Sequence, residues 1–138
     1  MPLDLSSLEQ AVAALDRSVR GAAAHADSIP ADLQDTVRSG LVQDFEVAYE
    51  QSWKAMRRWI EMEVGTGTVD GVSRRELFRH AAENRLIEDV DAWMRFHGLR
   101  NLSSHTYRLA TAQEVAGAAP DFVPLARSLL TALQERHA

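Results

Sequence analysis

The chain of 138 residues contains no cysteine and only one lysine, Lys54, against fourteen arginines. The lack of cysteine excludes disulfide bonds and thiolate metal sites, and it suits a reducing compartment. No apolar run approaches the roughly 18 residues that indicate a membrane-spanning helix. The first ten residues have neither the basic start nor the apolar stretch of a secretory signal. We therefore predict a cytoplasmic protein that does not contact a membrane.

Charge is unevenly distributed along the chain, whose formal net charge is −5. Residues 1–72 carry 6 basic and 12 acidic side chains, whereas residues 73–108 carry 7 basic and 5 acidic side chains. The overall negative charge argues against broad, charge-driven binding to nucleic acid, and we expect no DNA partner. An anionic ligand is expected in the middle segment, which is the only net-positive one.

Apolar residues recur every three or four positions through most of the sequence, which predicts helices. No alternating strand pattern competes with this periodicity. The predicted helices run approximately over residues 6–26, 31–64, 74–86, 89–104 and 111–133. The fold class is therefore all-α: an up-and-down antiparallel four-helix bundle with one extra short helix, in a single domain over residues 1–138.

Capping and breaking residues mark several helix ends. Ser73 and Glu76 form a predicted capping box at the start of the short helix, and Thr111 and Glu114 form a second one before the last helix. Pro120 is expected to interrupt the last helix near its start, because proline removes a backbone donor.

Most sequence signatures of enzymes are missing, including GxGxxG, the P-loop, HExxH and GxSxG. His97 and His105 lie eight residues apart and share a predicted helix face, but no suitably spaced carboxylate completes a metal site. We therefore predict no metal.

The most unusual segment is RNLSSHTY at residues 100–107, a dense polar cluster at the predicted end of the fourth helix. Arginine offers a planar fork that suits phosphate, and histidine exchanges protons near neutral pH. Together they can support metal-free phosphodiester cleavage, in which His105 moves the proton and Arg100 stabilises charge on the phosphorus centre.

A purely structural interpretation of the same segment is favoured on spacing alone. In that interpretation Arg100 pairs with a carboxylate of the bundle, while Asn101 and Ser104 bond the free carbonyl groups at the helix end. His105 then interacts with the negative end of the helix dipole.

Glu46, Glu50 and Lys54 follow one another at intervals of four residues in the second helix. This spacing is most typical of ion pairs along one helix. The less common alternative is that Glu46 or Glu50 orients Arg100 from across the bundle.

The pattern Arg-Asn-(three residues)-His-x-Tyr resembles the signature of HEPN-domain proteins, in particular the HepT-like branch, also described as nucleotidyltransferase substrate-binding proteins. Residues 45–54 resemble that family's second-helix pattern F-E-x-x-Y-E-x-x-W-K. Residues 73–79 resemble its S-P-R-E-x-x-R segment, and residues 111–133 resemble its closing helix. Arg74 stands where proline is common, a departure that we expect to alter only the helix start.

The resemblance implies a homodimer in which the arginine and histidine of both subunits face one cleft. It implies a metal-independent endoribonuclease, the toxin of a toxin–antitoxin pair, silenced by a cognate small nucleotidyltransferase. Arg100 and His105 are then expected to be catalytic, Asn101 to position the site, and Tyr107 to accept AMP. The chain itself needs no cofactor, because ATP and Mg²⁺ would belong to the nucleotidyltransferase. Phosphate added to Tyr107 would place negative charge where the RNA backbone must lie.

Two other functions remain open. The chain could be a non-catalytic substrate-binding subunit of a two-component nucleotidyltransferase, which the net acidic charge slightly favours. It could also be a bundle that only mediates assembly, in which case replacing Arg100 would affect neither activity. RNA cleavage by the purified chain would favour the nuclease over both.

Overall fold

The computed structural model describes residues 3–136, which contain five α-helices and no strand. The helices are α1 (Ser6–Ala24), α2 (Gln34–Glu63), α3 (Arg74–Glu83), α4 (Val90–Leu102) and α5 (Leu109–Arg136). Single 3₁₀ turns occupy Ala31–Leu33, Thr66–Thr68 and Ser103–His105. The predicted all-α fold is confirmed, and the first two and last two residues of the predicted domain lie outside the described part of the chain.

α1 runs antiparallel to α5 along one side of the molecule. The Gln134 amide donates a hydrogen bond of 3.1 Å to Glu9, near the start of α1. Further along, Arg127 lies 2.8 Å from Asp16. Because the later residue of α1 meets the earlier residue of α5, the two helices point in opposite directions.

α2 and α5 run parallel to each other, as alternate helices of an up-and-down bundle do. The rings of Phe45 and Phe122 are 5.4 Å apart, and the Arg136 guanidinium lies 5.3 Å from the Trp59 ring further along both helices. The short connection at residues 103–108 reverses the chain between α4 and α5. The up-and-down arrangement of α1, α2, α4 and α5, with α3 as the short addition, therefore matches the sequence prediction.

A cluster of buried aromatic rings joins α2, α4 and α5 at the centre of the core. Phe122 of α5 is fully buried, and its ring lies between 5.1 and 6.1 Å from four others, those of Phe45, Tyr49, Trp93 and Phe96. Aromatic pairs at such separations contribute about 0.5–1.5 kcal/mol each beyond the burial of their surface. The cluster fixes α4 against α2, and the polar residues of these two helices form the candidate site.

Side-chain caps mark the starts of α3 and α4. The Ser73 hydroxyl accepts a hydrogen bond of 3.2 Å from the Glu76 amide, and the Asp89 carboxylate accepts one of 3.1 Å from the Ala92 amide. The predicted cap at Ser73 is thus confirmed, although the Glu76 side chain pairs with Arg79. These caps satisfy amide groups that the first helical turn leaves without a partner.

Two predictions about the last helix are wrong. α5 begins at Leu109, so Thr111 lies inside the helix and does not cap it. Pro120 does not interrupt α5, which continues through both Pro120 and Pro124. Both prolines lie on the exposed face, where carbonyl groups that lose a backbone donor can bond to solvent. The buried Phe122 between them packs the opposite face and holds the helix in place.

None of the helices between residues 3 and 136 is long and apolar enough to cross a membrane.

Candidate functional site

Arg100 lies near the end of α4, with its guanidinium held by two carboxylates of α2. Its Nε donates a hydrogen bond of 3.2 Å to Glu50 Oε1, and its Nη1 lies 3.0 Å from Glu46 Oε2. The three side chains are 29%, 32% and 28% exposed, in the order Arg100, Glu50 and Glu46. The sequence left open whether these glutamates pair along α2 or reach Arg100, and the structure shows that they reach Arg100.

Ser103 completes the contacts around the Arg100 guanidinium. This serine is buried, and its Oγ accepts a hydrogen bond of 3.1 Å from Nη1 of Arg100. The same Oγ lies 2.9 Å from Glu46 Oε2 and 2.6 Å from the Arg100 carbonyl oxygen, so its one proton serves one of these two acceptors. Sequence reasoning did not single out Ser103, because a serine at a helix end is an ordinary residue and its burial depends on α2.

Both oxygens of the Glu50 carboxylate have a partner. Oε1 accepts from Arg100, and Oε2 accepts a hydrogen bond of 3.0 Å from the indole Nε1 of Trp53, one turn further along α2. Trp53 is half-buried against the hydrophobic core, and its indole N–H also holds Glu50.

One part of the Arg100 guanidinium remains available to a ligand. Within residues 3–136, its Nη2 makes no hydrogen bond, whereas Nε and Nη1 are both occupied. A shallow groove of about 240 Å³ borders this side chain, and it is lined by Gln43, Glu46, Val47, Glu50, Gln51 and Arg100. A free pair of guanidinium protons beside an open groove can donate to a phosphate oxygen.

His105 and Tyr107 lie just beyond α4, in the 3₁₀ turn and the connection that follows it. Both are exposed, and the Tyr107 side chain is 75% exposed. Their rings are nearly perpendicular, with centroids 5.9 Å apart, and the Arg108 guanidinium lies 5.6 Å from the Tyr107 ring. The structure thus brings His105 and Tyr107 together as one group and Arg100, Glu46 and Glu50 as another, both at the same end of α4.

Asn101 is exposed on α4 directly after Arg100. Its carbonyl oxygen accepts a hydrogen bond of 2.9 Å from the Ser104 hydroxyl, as the structural interpretation of the sequence predicted for Ser104. The Asn101 side chain makes no hydrogen bond within residues 3–136, so it is available to a ligand.

His97 has a structural contact that separates it from His105. Its Nδ1 lies 2.7 Å from the Tyr49 hydroxyl in the interior between α2 and α4. Burial lowers the pKa of His97, and the positive charge of Arg74 lowers it further, while Glu50 acts in the opposite direction. Burial also raises the pKa of Tyr49. In the described part of the chain, no three histidine, aspartate or glutamate side chains come together as a metal site would require.

The chain is an all-helical bundle with an arginine and a histidine at one end of α4. It belongs to the family of nucleotidyltransferase substrate-binding proteins. Residues 3–135 match the family model described as "Nucleotidyltransferase substrate binding protein like". The "Probable ribonuclease HepT" of Haemophilus influenzae is 32% identical over 112 residues, which cover 80% of this chain and 77% of that protein. The chain is thus a homologue of a HepT protein, as its resemblance to the HEPN family indicated.

Solved structures show the same fold. One is a Haemophilus influenzae protein whose structure is described as revealing the fold of a substrate-binding domain of a nucleotidyltransferase. It matches with a TM-score of 0.90 and 30% sequence identity, and the match covers 95% of this chain and 99% of that one. A Thermus thermophilus protein matches with a TM-score of 0.73 and 24% identity, over 92% of this chain and 98% of that one. The second likeness concerns the fold alone.

Proposed function

We propose that this protein is a HepT-like toxin: a metal-independent endoribonuclease that a cognate small nucleotidyltransferase silences by transferring AMP to Tyr107. The observation that carries the proposal is Arg100, a cation fixed beside an open groove by Glu46 and Glu50. Exposed His105 follows about one and a half helical turns later at the same end of α4. Similarity to a protein named as a probable ribonuclease supports the same activity.

The reaction needs an arginine and a histidine in separate roles. The ribose 2′-hydroxyl attacks the adjacent phosphorus, the bond from phosphorus to the 5′-oxygen breaks, and a 2′,3′-cyclic phosphate and a 5′-hydroxyl are formed. His105 accepts the proton of the attacking hydroxyl, and His105 of a second subunit gives a proton to the leaving oxygen. Nη2 of Arg100 donates to the phosphate oxygens on which negative charge develops.

The remaining site residues position these two groups. Glu46 and Glu50 fix Nη1 and Nε of Arg100, so the guanidinium keeps one orientation toward the groove. Asn101 presents an exposed amide directly after Arg100 and can bond the RNA backbone. Since the nucleophile is the 2′-hydroxyl, DNA cannot serve as a substrate.

AMP transfer to Tyr107 explains how the nuclease is silenced. The phenolic oxygen attacks the α-phosphorus of ATP, pyrophosphate leaves, and the phenolic proton is released; ATP and Mg²⁺ are held by the nucleotidyltransferase. The exposed side chain makes Tyr107 accessible to that enzyme. The new phosphate adds negative charge to Tyr107, whose ring centroid lies 5.9 Å from that of His105, and it repels the RNA backbone from the same place.

Exposed apolar side chains around the site support a protein contact there, both with a second subunit and with the nucleotidyltransferase. Within residues 3–136, seven large apolar residues are exposed, and four of them are site residues or lie within two positions of one in the sequence, namely Val47, Leu102, Tyr107 and Leu109. Apolar surface gathered at one region is typical of an interaction surface. We propose that the active form is a homodimer joined at this end of the bundle.

RNA cleavage by the purified protein in EDTA tests the nuclease. We expect cleavage of RNA, no cleavage of the DNA of the same sequence, and products that end in a 2′,3′-cyclic phosphate. The His105→Ala variant is expected to be inactive, and His25→Ala serves as a control because His25 is also exposed but lies after α1. Equal cleavage by the His105→Ala and wild-type proteins would overturn the assignment.

Intact mass after co-expression with the cognate nucleotidyltransferase tests the modification. We expect a mass increase by one or more AMP units in the wild-type protein and none in Tyr107→Phe. Tyr49 is the only other tyrosine and is buried against His97, so it provides an internal control in peptide mapping. Modification that persists in Tyr107→Phe would contradict the proposal.

A second function is favoured by a specific feature of the site. The Arg100 guanidinium faces two carboxylates, so the cluster has a formal excess of negative charge that weakens its attraction for RNA. A substrate-binding subunit of a two-component nucleotidyltransferase would tolerate this charge. That function predicts no RNA cleavage by the isolated chain, but a change in the activity of the nucleotidyltransferase on mixing.

A further inference from the structure

We propose that Arg74 is a positioning residue for Arg100 and acts on it through Trp53 and Glu50. The inference rests on the proposed function in one respect, namely that Arg100 binds phosphate. The three contacts involved connect the start of α3 to the end of α4 by way of α2.

The first contact is the stacking of Arg74 on Trp53. The Arg74 guanidinium lies 3.5 Å from the centre of the indole ring, much closer than the Lys54 amine at 5.8 Å. Within residues 3–136, Arg74 is not among the arginines that form an ion pair with a carboxylate. Its buried Nη1 has no hydrogen-bond partner there. A buried donor without a partner is unfavourable, so the stacking on Trp53 is the contact that accounts for this placement.

The second contact depends on the orientation of the indole. Trp53 is half-buried, and Arg74 covers one face of its ring. With the ring plane held, Nε1–H points at Glu50 Oε2 over 3.0 Å. If the indole rotates about its side-chain bonds, the hydrogen bond to Glu50 is weakened or lost, because hydrogen bonds weaken steeply as they bend.

The third contact transmits the effect to the site. Since Oε2 of Glu50 is held by Trp53, Oε1 faces Nε of Arg100 at 3.2 Å. A carboxylate that has lost its Oε2 partner can rotate, and the orientation of the Arg100 guanidinium then rests on Glu46 and Ser103 alone. The result is a less well defined position of Nη2 beside the groove.

Arg74 has this role although proline is common at its position in the pattern that the sequence resembles. We expected the substitution to alter only the start of the helix, but the side chain also covers Trp53. Proline has no charge and no guanidinium plane to stack on the indole. This support of Glu50 is therefore specific to chains that carry arginine at the first position of α3.

NMR of the ¹⁵N-labelled protein tests the chain of contacts without reference to RNA. In Arg74→Ala we expect the indole N–H of Trp53 and the Nε–H of Arg100 to shift and to exchange faster with solvent. The indole N–H of Trp59 serves as a control, since it has no hydrogen-bond partner within residues 3–136 and follows Glu50 by nine positions along α2. Arg75→Ala is the matched variant, because Arg75 is the next residue of α3 and pairs with exposed Asp91 instead. Unchanged Trp53 and Arg100 signals in Arg74→Ala would overturn the inference.

A double-mutant cycle on RNA cleavage tests the route through the indole. Trp53→Phe removes the N–H donor but keeps an aromatic face. We expect Arg74→Ala and Trp53→Phe each to lower kcat about fivefold, the change that corresponds to about 1 kcal/mol, with KM unchanged. In the Trp53→Phe background, Arg74→Ala is expected to have no further effect, because its route to Glu50 is already absent.

The two experiments separate this inference from the nuclease function. Additive losses of kcat in the cycle would overturn the route through Trp53. If the wild-type protein cleaves no RNA, the nuclease fails, while shifts at Trp53 and Arg100 in Arg74→Ala still support the positioning role.

Discussion

The two halves of the segment at residues 100–107 differ in how the rest of the molecule holds them. Arg100 and Ser103 contact carboxylates of α2, and Ser103 is buried. His105 and Tyr107 lie outside the bundle, and their rings contact each other. The half that offers a fixed positive charge is therefore anchored by tertiary contacts, whereas the half proposed for proton transfer and modification is left accessible.

The two histidines of this region show the same contrast. His97 is bonded to Tyr49 between α2 and α4, whereas His105 is exposed eight residues later. In the sequence the two residues look alike, because both are histidines on the same predicted helix face. Only their surroundings in the folded protein distinguish a structural histidine from a candidate for catalysis.

The largest effect is expected from His105→Ala, which should remove activity without loss of stability. Cleavage is expected to fall by about 10²–10⁴-fold, as for the loss of a general acid–base group. The free energy of unfolding should change by less than about 0.5 kcal/mol, because the side chain is exposed. Cleavage assays and urea unfolding of the same preparation measure both quantities. A clear loss of stability would show that His105 is anchored as Arg100 is.

Arg100→Ala should lower both activity and stability. We expect cleavage to fall by about 10²–10³-fold. The free energy of unfolding should fall by about 1–3 kcal/mol, because Glu46 and Glu50 are left half-buried beside each other without a cation. Arg57→Ala is the matched control, since Arg57 is more exposed, lies 2.8 Å from Glu61, and should cost less than about 1 kcal/mol. If Arg100→Ala and Arg57→Ala lowered the free energy of unfolding equally, Arg100 would be no better anchored than an exposed arginine.

Glu46→Gln should give a smaller effect on the anchored half. The substitution keeps the shape of the side chain but weakens its bonds to Arg100 and Ser103. We expect cleavage to fall about fivefold, which corresponds to about 1 kcal/mol. Glu61→Gln, on the same helix but paired with Arg57, should leave cleavage unchanged. The comparison would fail if both variants lost activity to the same extent.

The smallest effect is expected in the pH dependence of stability. Because burial lowers the pKa of His97, the unfolded chain takes up a proton at a higher pH than the folded one. The contribution of neutral His97 to stability is fully present above its ordinary pKa of 6.5, and it decreases as the pH falls from there toward the lower pKa of the folded state. Urea unfolding at pH 7 and pH 5 should show a smaller decrease in His97→Gln than in the wild type. Identical decreases would mean that His97 does not couple protonation to unfolding.

Local patterns predicted much of the fold because they act within a few residues. The apolar periodicity indicated the five helices, and Ser73 caps the start of α3 as its position in the sequence predicted. The same rules failed at Thr111, which lies inside α5 because the helix begins at Leu109. They also failed at Pro120, because the packing of Phe122 and the exposed position of the prolines allow α5 to continue. Arg100, His105 and Tyr107 could be picked out as a segment, and Glu46 and Glu50 could be named as possible partners of Arg100, but the sequence favoured ion pairs along α2 over that contact.

The sequence by itself determined the helical fold, the family and the residues at the end of α4, because helical spacing and short motifs are properties of neighbouring residues. Only the tertiary structure decided that Glu46 and Glu50 hold Arg100 and that Arg74 stacks on Trp53. These contacts join residues on different helices, and their formation depends on which helix faces meet in the core. Periodicity fixes the apolar face of each helix but does not specify its neighbour, and burial against that neighbour decides which polar groups are anchored.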